Sequence, residues 1–349
     1  MMKSYQPFTT TVVGSMPKFP WLYRPKTAEE LKEDYKYGER GVWTFDGQLR
    51  NIAINDAIRV SIRLQEKAAI NIISDGEQRR EHYLTHFTKK MSGFDYSRLA
   101  EKIIRGETKA MVGRCVAPIE HVAPITIDDL SFLKKKVDQP VKITLPGPMT
   151  IVDSTHDEYY FDEKSMAEDW AIAINREAKL LDKLGPEIIQ FDEPAFSLYP
   201  EKVSEWGIEM LQLAAADLNA NTAVHICYGY PHPEKKRSIV DSYPRLISIL
   251  EDCDIDILAL EFEGARLDPK LLSKCPSKRV RFGCVWNSDQ RIETADYVAE
   301  RLLRAADILS PEQIMPAPDC GLSPCSFEIA EKKLRILSEG TKIARERSK

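Results

Sequence analysis

The chain lacks any apolar run approaching the roughly 20 residues that a helix needs to cross a bilayer. It also lacks a basic segment followed by an apolar stretch in "MMKSYQPFTTTVVGSMP", so no secretion signal is expected. Positive charge is not in excess. The formal net charge of -5 at pH 7 gives no electrostatic case for nucleic acid. The basic runs "LKKKV" and "EKKR" are short and read as solvated helix faces. No internal repeat, low-complexity segment or Gly/Ser linker is present. Cysteine is sparse and odd in number: seven, at 115, 227, 253, 275, 284, 320 and 325. That spacing argues against a secreted disulfide framework and for a reducing, cytoplasmic setting with neither membrane nor nucleic acid as partner. Cys253, Cys275 and Cys284 read as small buried hydrophobes.

What is present is a succession of short apolar runs and amphipathic stretches, the pattern of a parallel sheet with covering helices. Eight runs read as strands: 9–15, 70–77, 141–148, 187–194, 222–229, 256–263, 279–286 and 313–321. Between them, Trp170, Ile174, Ala178, Leu181 and Leu184 form one helical stripe, with Gly185 as its stop. "SPEQ" (310–313) has capping-box spacing. "KAMVGRCVAPIEHVAPITIDDL" predicts a β-hairpin excursion around 109–127. With 349 residues, 43% of them hydrophobic, the expectation is an α/β fold: one (β/α)8 barrel over 1–349 with an N-terminal extension. Reactive groups in such a barrel gather at the C-terminal ends of the strands.

Four candidate metal ligands lie at predicted strand ends: His225 and Cys227 in "HICY", Glu261 in "ALEFE", and Cys320 in "PDCG". Residues two apart on a strand share a face, so His225 and Cys227 point together. Taken alone, a His-x-Cys pair on a buried strand is more often packed than metal-bound. Three segments reaching one rim change that reading, because a buried imidazole, carboxylate and two thiols without a metal are costly. The N, S, O, S donor set suits tetrahedral zinc. Such a zinc is electron-rich, a poor activator of water and a better partner for a substrate thiol. Glu263 shares the parity of Glu261; Glu261 is preferred because 256–261 is a normal strand length. Ser15, Glu77, Asp192 and Glu193 also sit at strand ends. Carboxylates there can hold an ammonium, and Ser15 with nearby amides can hold a carboxylate, as an amino-acid substrate requires. The plainer reading of each carboxylate is a helix cap or a rim ion pair. Arg79 and Arg80 read as pairing or surface residues.

In order along the chain, "TTTVVGS", "GEQRREHY", "LPGPMTI", "IIQFDEPA", "HICY" and "PDCGL" resemble the catalytic C-terminal barrel of the cobalamin-independent methionine synthases. The resemblance covers nearly the whole length. It implies zinc held by His225, Cys227, Cys320 and either Glu261 or Glu263, with homocysteine bound by Ser15, Glu77 and Asp192. It implies methyl transfer to the homocysteine sulfur, with Glu77 and Asp192 acting in catalysis by holding the amino group. Three departures bear on the methyl donor. There is no room for the family's second barrel; its folate-stacking tryptophan corresponds to Ser154; its histidine linked to protonating folate falls near Asp289. The chain is most similar to the short, one-barrel members, which implies a methylated corrinoid, free or on a corrinoid protein, as donor. No corrinoid-holding Asp-x-His-x-x-Gly occurs, so a corrinoid would come from outside.

Competing readings are methyltetrahydrofolate as donor, the same zinc chemistry on another thiol such as coenzyme M, a metal-free decarboxylase on a related barrel, and a zinc-bearing scaffold. Coenzyme M has no amino group for Glu77 and Asp192 to hold. A decarboxylase has no need of the His/Cys/Cys set, and a closed structural zinc does not require carboxylates on neighbouring strands.

Overall fold

The computed structural model describes residues 5–33, 41–106, 108–230, 239–288 and 291–348. The basic run "EKKR" and Asp289 lie outside them. An antiparallel hairpin, β1 (Phe94–Ile104) and β2 (Thr108–Cys115), precedes the strands of the main sheet. These are β3 (Lys142–Pro146), β4 (Ile188–Asp192), β5 (Asn221–Ile226), β6 (Ile257–Leu260), β7 (Arg279–Val285) and β8 (Ile314–Pro318). Each pairs in parallel with the next in chain order. All six are buried along their whole length. Burial on both faces is why they read as continuous apolar runs rather than alternating ones.

The segments 9–15 and 70–77 join the two edges of that sheet. The Thr11 N–H donates to the Pro316 carbonyl at 3.0 Å, Ile72 donates to Thr10 at 3.1 Å, and Lys142 donates to Ile73 at 2.9 Å. Parallel bridges link Thr11 with Ile72 and Ile73 with Val141. Eight parallel segments thus ring a common axis, as a (β/α)8 barrel. The first two are short because side-chain amides replace ladder bonds. Asn71 Oδ1 accepts from both N and Oγ1 of Thr10, and Gln65 bonds both the N–H and C=O of Ser74.

The hairpin differs from its expected place at 109–127. Its arms are 94–104 and 108–115, turned through Arg105 and Gly106 at positive φ. Residues 116–126 cannot continue the ladder, because Pro118 and Pro124 have no N–H to donate. Extra N-terminal material is a long excursion after the first barrel segment. It carries a two-stranded pair, Tyr23–Pro25 with Gly41–Trp43. The helix Glu163–Asp182 is capped by Asp162, whose side chain accepts from Ser165 N. It buries Trp170, Ile174, Ala178 and Leu181 completely, and Trp170 Nε1 reaches the Pro146 carbonyl at 3.2 Å. That stripe is the one the spacing predicts, with Leu184 just past the helix end. At "SPEQ", Gln313 Oε1 accepts from Ser310 N at 3.1 Å, one half of a capping box. No helix among the described residues is long and apolar enough to cross a membrane.

His86, buried on the helix Thr85–Thr88, generates a pH prediction. Its Nε2 lies 2.9 Å from Lys90 Nζ and its Nδ1 3.3 Å from Glu81, the contacts of a neutral ring that accepts on one side and donates on the other. Burial, with Lys90 adding to it, lowers its pKa from 6.5 to about 4. Between those values the unfolded chain binds a proton that the folded one does not, so stability rises with pH across that window. This contribution is complete above pH 6.5 and drains away as pH falls toward 4, at up to about 1.4 kcal/mol per pH unit. The variant His86→Gln should therefore lose less stability than the parent as pH falls from about 7 to about 5, read as the change in urea-unfolding free energy. An equal loss in both proteins would refute the assignment.

Candidate metal centre and substrate pocket

β5 delivers His225 inward, and Cys227 follows one residue past the strand end on the same side. β8 ends at Pro318, two residues before Cys320. The His225 Nε2 lies 3.5 Å from Cys320 Sγ, and the two sulfurs are 3.7 Å apart. All three donor atoms fall within 4.8 Å of one another, and all three residues are buried. Two Zn–S bonds of ~2.3 Å at the tetrahedral angle place sulfurs ~3.8 Å apart, and a Zn–N bond of ~2.0–2.1 Å places nitrogen ~3.5 Å from sulfur. The spacing therefore fits one tetrahedral cation. Contact between the thiols drives Cys227 well below the usual thiol range and holds the proton on Cys320. One of the two sulfurs is thus already disposed to be a thiolate.

Parity cannot separate Glu261 from Glu263, but their surroundings differ. Glu261 is the first residue past β6, fully buried, with Oε2 accepting from Tyr228 N at 3.0 Å, and its charge raises the Cys320 thiol. Its carboxylate stands beside the three-atom cluster rather than within it. Glu263 is engaged elsewhere: it pairs with Arg291, with Arg301 at 3.2 Å, and accepts from Tyr297 at 2.8 Å.

Sequence reasoning missed two residues that frame this centre. Arg281, on β7 and buried, donates from Nη1 to the Pro318 carbonyl at 2.9 Å and brings Nη2 within 2.8 Å of His225 Nδ1. The same Nδ1 lies 3.1 Å from the Ala259 carbonyl. A guanidinium only donates, so the two contacts belong to different tautomers, and a ring that offers Nε2 to a metal carries Nδ1–H toward Ala259. The available signal was a charged residue inside the apolar run "RVRFGCV". Asp319 is the second. Its carboxylate accepts from Phe262 N and Glu263 N at 2.9 Å each and from Gly264 N at 2.5 Å.

The predicted substrate holders line the same rim. Ser15 Oγ is 3.2 Å from Tyr230 Oη, and its carbonyl accepts from Leu322 N at 2.8 Å, next to Cys320. A Cβ on Gly321 would stand 2.0 Å from Ser15 Oγ, so that close approach needs glycine. Glu77 sits at φ +54°, accepts from Thr144 Oγ1 at 2.6 Å and lies 3.7 Å from Arg80. Asp192 closes β4 and accepts from Gln190 Nε2 at 2.7 Å. Burial raises its carboxyl to about 6, the Glu77 charge adding to the rise while His225 and Lys142 oppose it. The charges of Glu77 and His225 both act on Asp192, so the three face one shared space. Glu193 is a different matter. It caps the helix Pro148–Asp153, accepting from Met149 N and Thr150 N at 2.9 Å and from Thr150 Oγ1 at 2.7 Å, and so is committed to structure. Arg79 and Arg80 are pairing residues, Arg79 with Asp129. The thiols of Cys253, Cys275 and Cys284 donate to nearby carbonyls, and burial raises the first two to about 11 and 12. All seven cysteines are buried, and none is joined in a disulfide.

Comparison with known proteins bears on the whole length. Residues 8–342 match the family model described as "Cobalamin-independent synthase, Catalytic domain". The methionine synthase of Sulfurisphaera tokodaii is 31% identical over 341 residues, covering 97% of this chain and 93% of the relative. That of Saccharolobus solfataricus is 31% identical over 343 residues, covering 97% and 96%. Among solved structures, a B12-independent methionine synthase from Shewanella sp. W3-18-1, in complex with selenomethionine, superposes with a TM-score of 0.90 at 34% identity, covering 98% of this chain and 99% of that one. With the barrel, the rim and the ordered motifs in agreement, the chain belongs to the cobalamin-independent methionine synthase family and is a methyltransferase.

Proposed function

We propose that the protein methylates the thiol of L-homocysteine at a zinc ion held by His225, Cys227, Glu261 and Cys320. One observation carries the reading: the donor atoms of His225, Cys227 and Cys320, at or just past the ends of β5 and β8, lie within 4.8 Å of one another, with Cys320 at tetrahedral-zinc spacing from each of the other two. Bound there, zinc would hold the substrate sulfur as a thiolate near neutral pH. The chain's own residues do the rest. Glu77 and Asp192 take the substrate ammonium between them, and its charge offsets the burial that otherwise raises Asp192. Ser15 and the neighbouring amides take the carboxylate. Together these contacts aim the sulfur at the incoming methyl group, and alignment of this kind is a large part of catalysis.

For the donor we favour a methylated corrinoid, free or delivered by a corrinoid protein. Ser154, a small buried side chain at the C-terminal end of the helix Pro148–Asp153, offers no ring for a pterin to stack on. Cobalt(I), as leaving group, needs no general acid. A methylfolate donor is the second reading, supported by the description of the Shewanella protein as B12-independent. Methionine formation from homocysteine should occur with methylcobalamin, stop on chelation and return with zinc. Turnover with methyltetrahydrofolate alone would overturn the donor assignment while leaving the acceptor chemistry standing. Indifference to chelation would overturn the zinc.

Substitutions separate the ligands from their neighbours. Cys227→Ala, Cys320→Ala and Glu261→Gln should each lose both zinc, by elemental analysis, and turnover, whereas Cys284→Ala should keep both. Glu263→Gln should keep its zinc but unfold more easily, by about 3 kcal/mol, because the buried Arg301 loses its carboxylate and Arg291 is left with Glu293 alone. Zinc loss in Glu263→Gln with retention in Glu261→Gln would reverse the choice of acidic ligand.

A further inference from the structure

Beneath the pocket, the barrel interior is polar where such barrels are ordinarily filled by branched apolar side chains. Lys142 on β3 and Gln190 on β4 are 1% and 0% exposed. Lys142 Nζ donates to the Val12 carbonyl at 2.9 Å and to Gln190 Oε1 at 2.5 Å. Gln190 Nε2 donates in turn to Asp192 Oδ1 at 2.7 Å and to the Val13 carbonyl at 3.3 Å. The two ends of a glutamine amide are close in shape, so only its partners can fix which way it points. Here they all agree. Lysine nitrogen donates, while the Val13 carbonyl and the Asp192 carboxylate only accept. Turning the amide over would set its NH2 against the lysine and its oxygen against the carboxylate.

We propose that Lys142 and Gln190 form a positioning relay that aims the Asp192 carboxylate at the substrate's amino group, and so set a preference for thiols carrying an α-amino group. The inference rests on the reading above in which Asp192 holds that group. Burial, with Arg281 adding to it, pulls the Lys142 ammonium well below its usual range, but a neutral amine still donates to Gln190, so the relay is the same in either form. β3 serves both carboxylates. Lys142 and Thr144 are two apart and share its inner face, Lys142 reaching Asp192 through Gln190 and Thr144 bonding Glu77 directly. A set of polar core residues with no role beyond packing has no reason to end on the two groups that face the amino acid.

The test is binding by the zinc-loaded full chain, measured calorimetrically with homocysteine and with 4-mercaptobutanoate, the same thiol without its amino group. This readout needs no methyl donor. The parent should prefer homocysteine, and Asp192→Asn should cut that preference sharply, to what Glu77 alone supplies. Lys142→Met and Gln190→Met, both near-isosteric, should each lower the preference about ten-fold, the worth of a hydrogen bond to a charged group. Added to Asp192→Asn, Lys142→Met should change the preference no further, because the two act through one carboxylate. Should Lys142→Met fail to fold, Gln190→Met carries the same comparison. Parental preference in both single variants, with Asp192→Asn still cutting it, overturns the relay alone. A parent that binds both thiols equally, or an Asp192→Asn variant with unchanged preference, overturns the assignment of Asp192 and the relay with it.

Discussion

The centre depends on a clamp made by one carboxylate. Asp319 takes the backbone N–H groups of Phe262, Glu263 and Gly264, tying the loop after β6 to the loop after β8. Cys320 is the next residue on one side of that clamp, and Glu261 is the residue before it on the other. Arg281 locks the arrangement from beneath, bonding the carbonyls of Pro318 and, at 3.4 Å, Asp319. Gly283 is required at the crossing, since a Cβ there would stand 2.2 Å from Asp319 Oδ1. Side chains on two separate loops hold ligand geometry only if the loops cannot move apart, and a buried carboxylate satisfied by three amides is a stiff link.

Electrostatics explain the remaining shape of the interior. Glu77, Asp192, Glu261 and the paired thiols gather negative charge at one rim, while Lys142 and Arg281 lie below it, both fully enclosed. Uncompensated, carboxylates at this depth would neutralise instead of binding anything. The Arg281 guanidinium and the Lys142 nitrogen beneath offset part of that burden, yet they do not fill the rim. Room for positive charge remains at the top of the barrel, which suits a divalent metal on one side and a substrate ammonium on the other.

The barrel and most of this rim were legible in the sequence, for definite reasons. Strands buried on both faces leave continuous apolar runs, and the residues at their C-terminal ends are few, so His225, Cys227, Cys320, Ser15, Glu77 and Asp192 stood out as rim candidates. The hairpin lies about a dozen positions earlier than expected because the prolines at 118 and 124 break the predicted second arm. Glu261 and Glu263 could not be separated by a period of two; only the arginines around Glu263, brought in from residues 291 and 301, distinguish them. Lys142, Gln190 and Arg281 left only one trace, a polar residue inside an otherwise apolar run. Each lies inside a run that otherwise reads as apolar core, and periodicity carries no sign that an inward position is polar by design.

The same division bears on what the fold leaves adjustable. His225, Cys227, Cys320 and Asp192 sit at the end of a barrel strand or within two residues of it, fixed by parallel pairing, while Ser15 and Glu77 follow four residues after the bridges of the first two segments. Ser154, on which the proposed choice of donor turns, lies instead at the end of a helix that follows β3, held there by the Glu193 cap on that helix rather than by the sheet. Loops and caps can change while the strands that carry them stay the same. A barrel built in this way can keep its acceptor half and exchange one methyl donor for another by altering a few residues off the sheet.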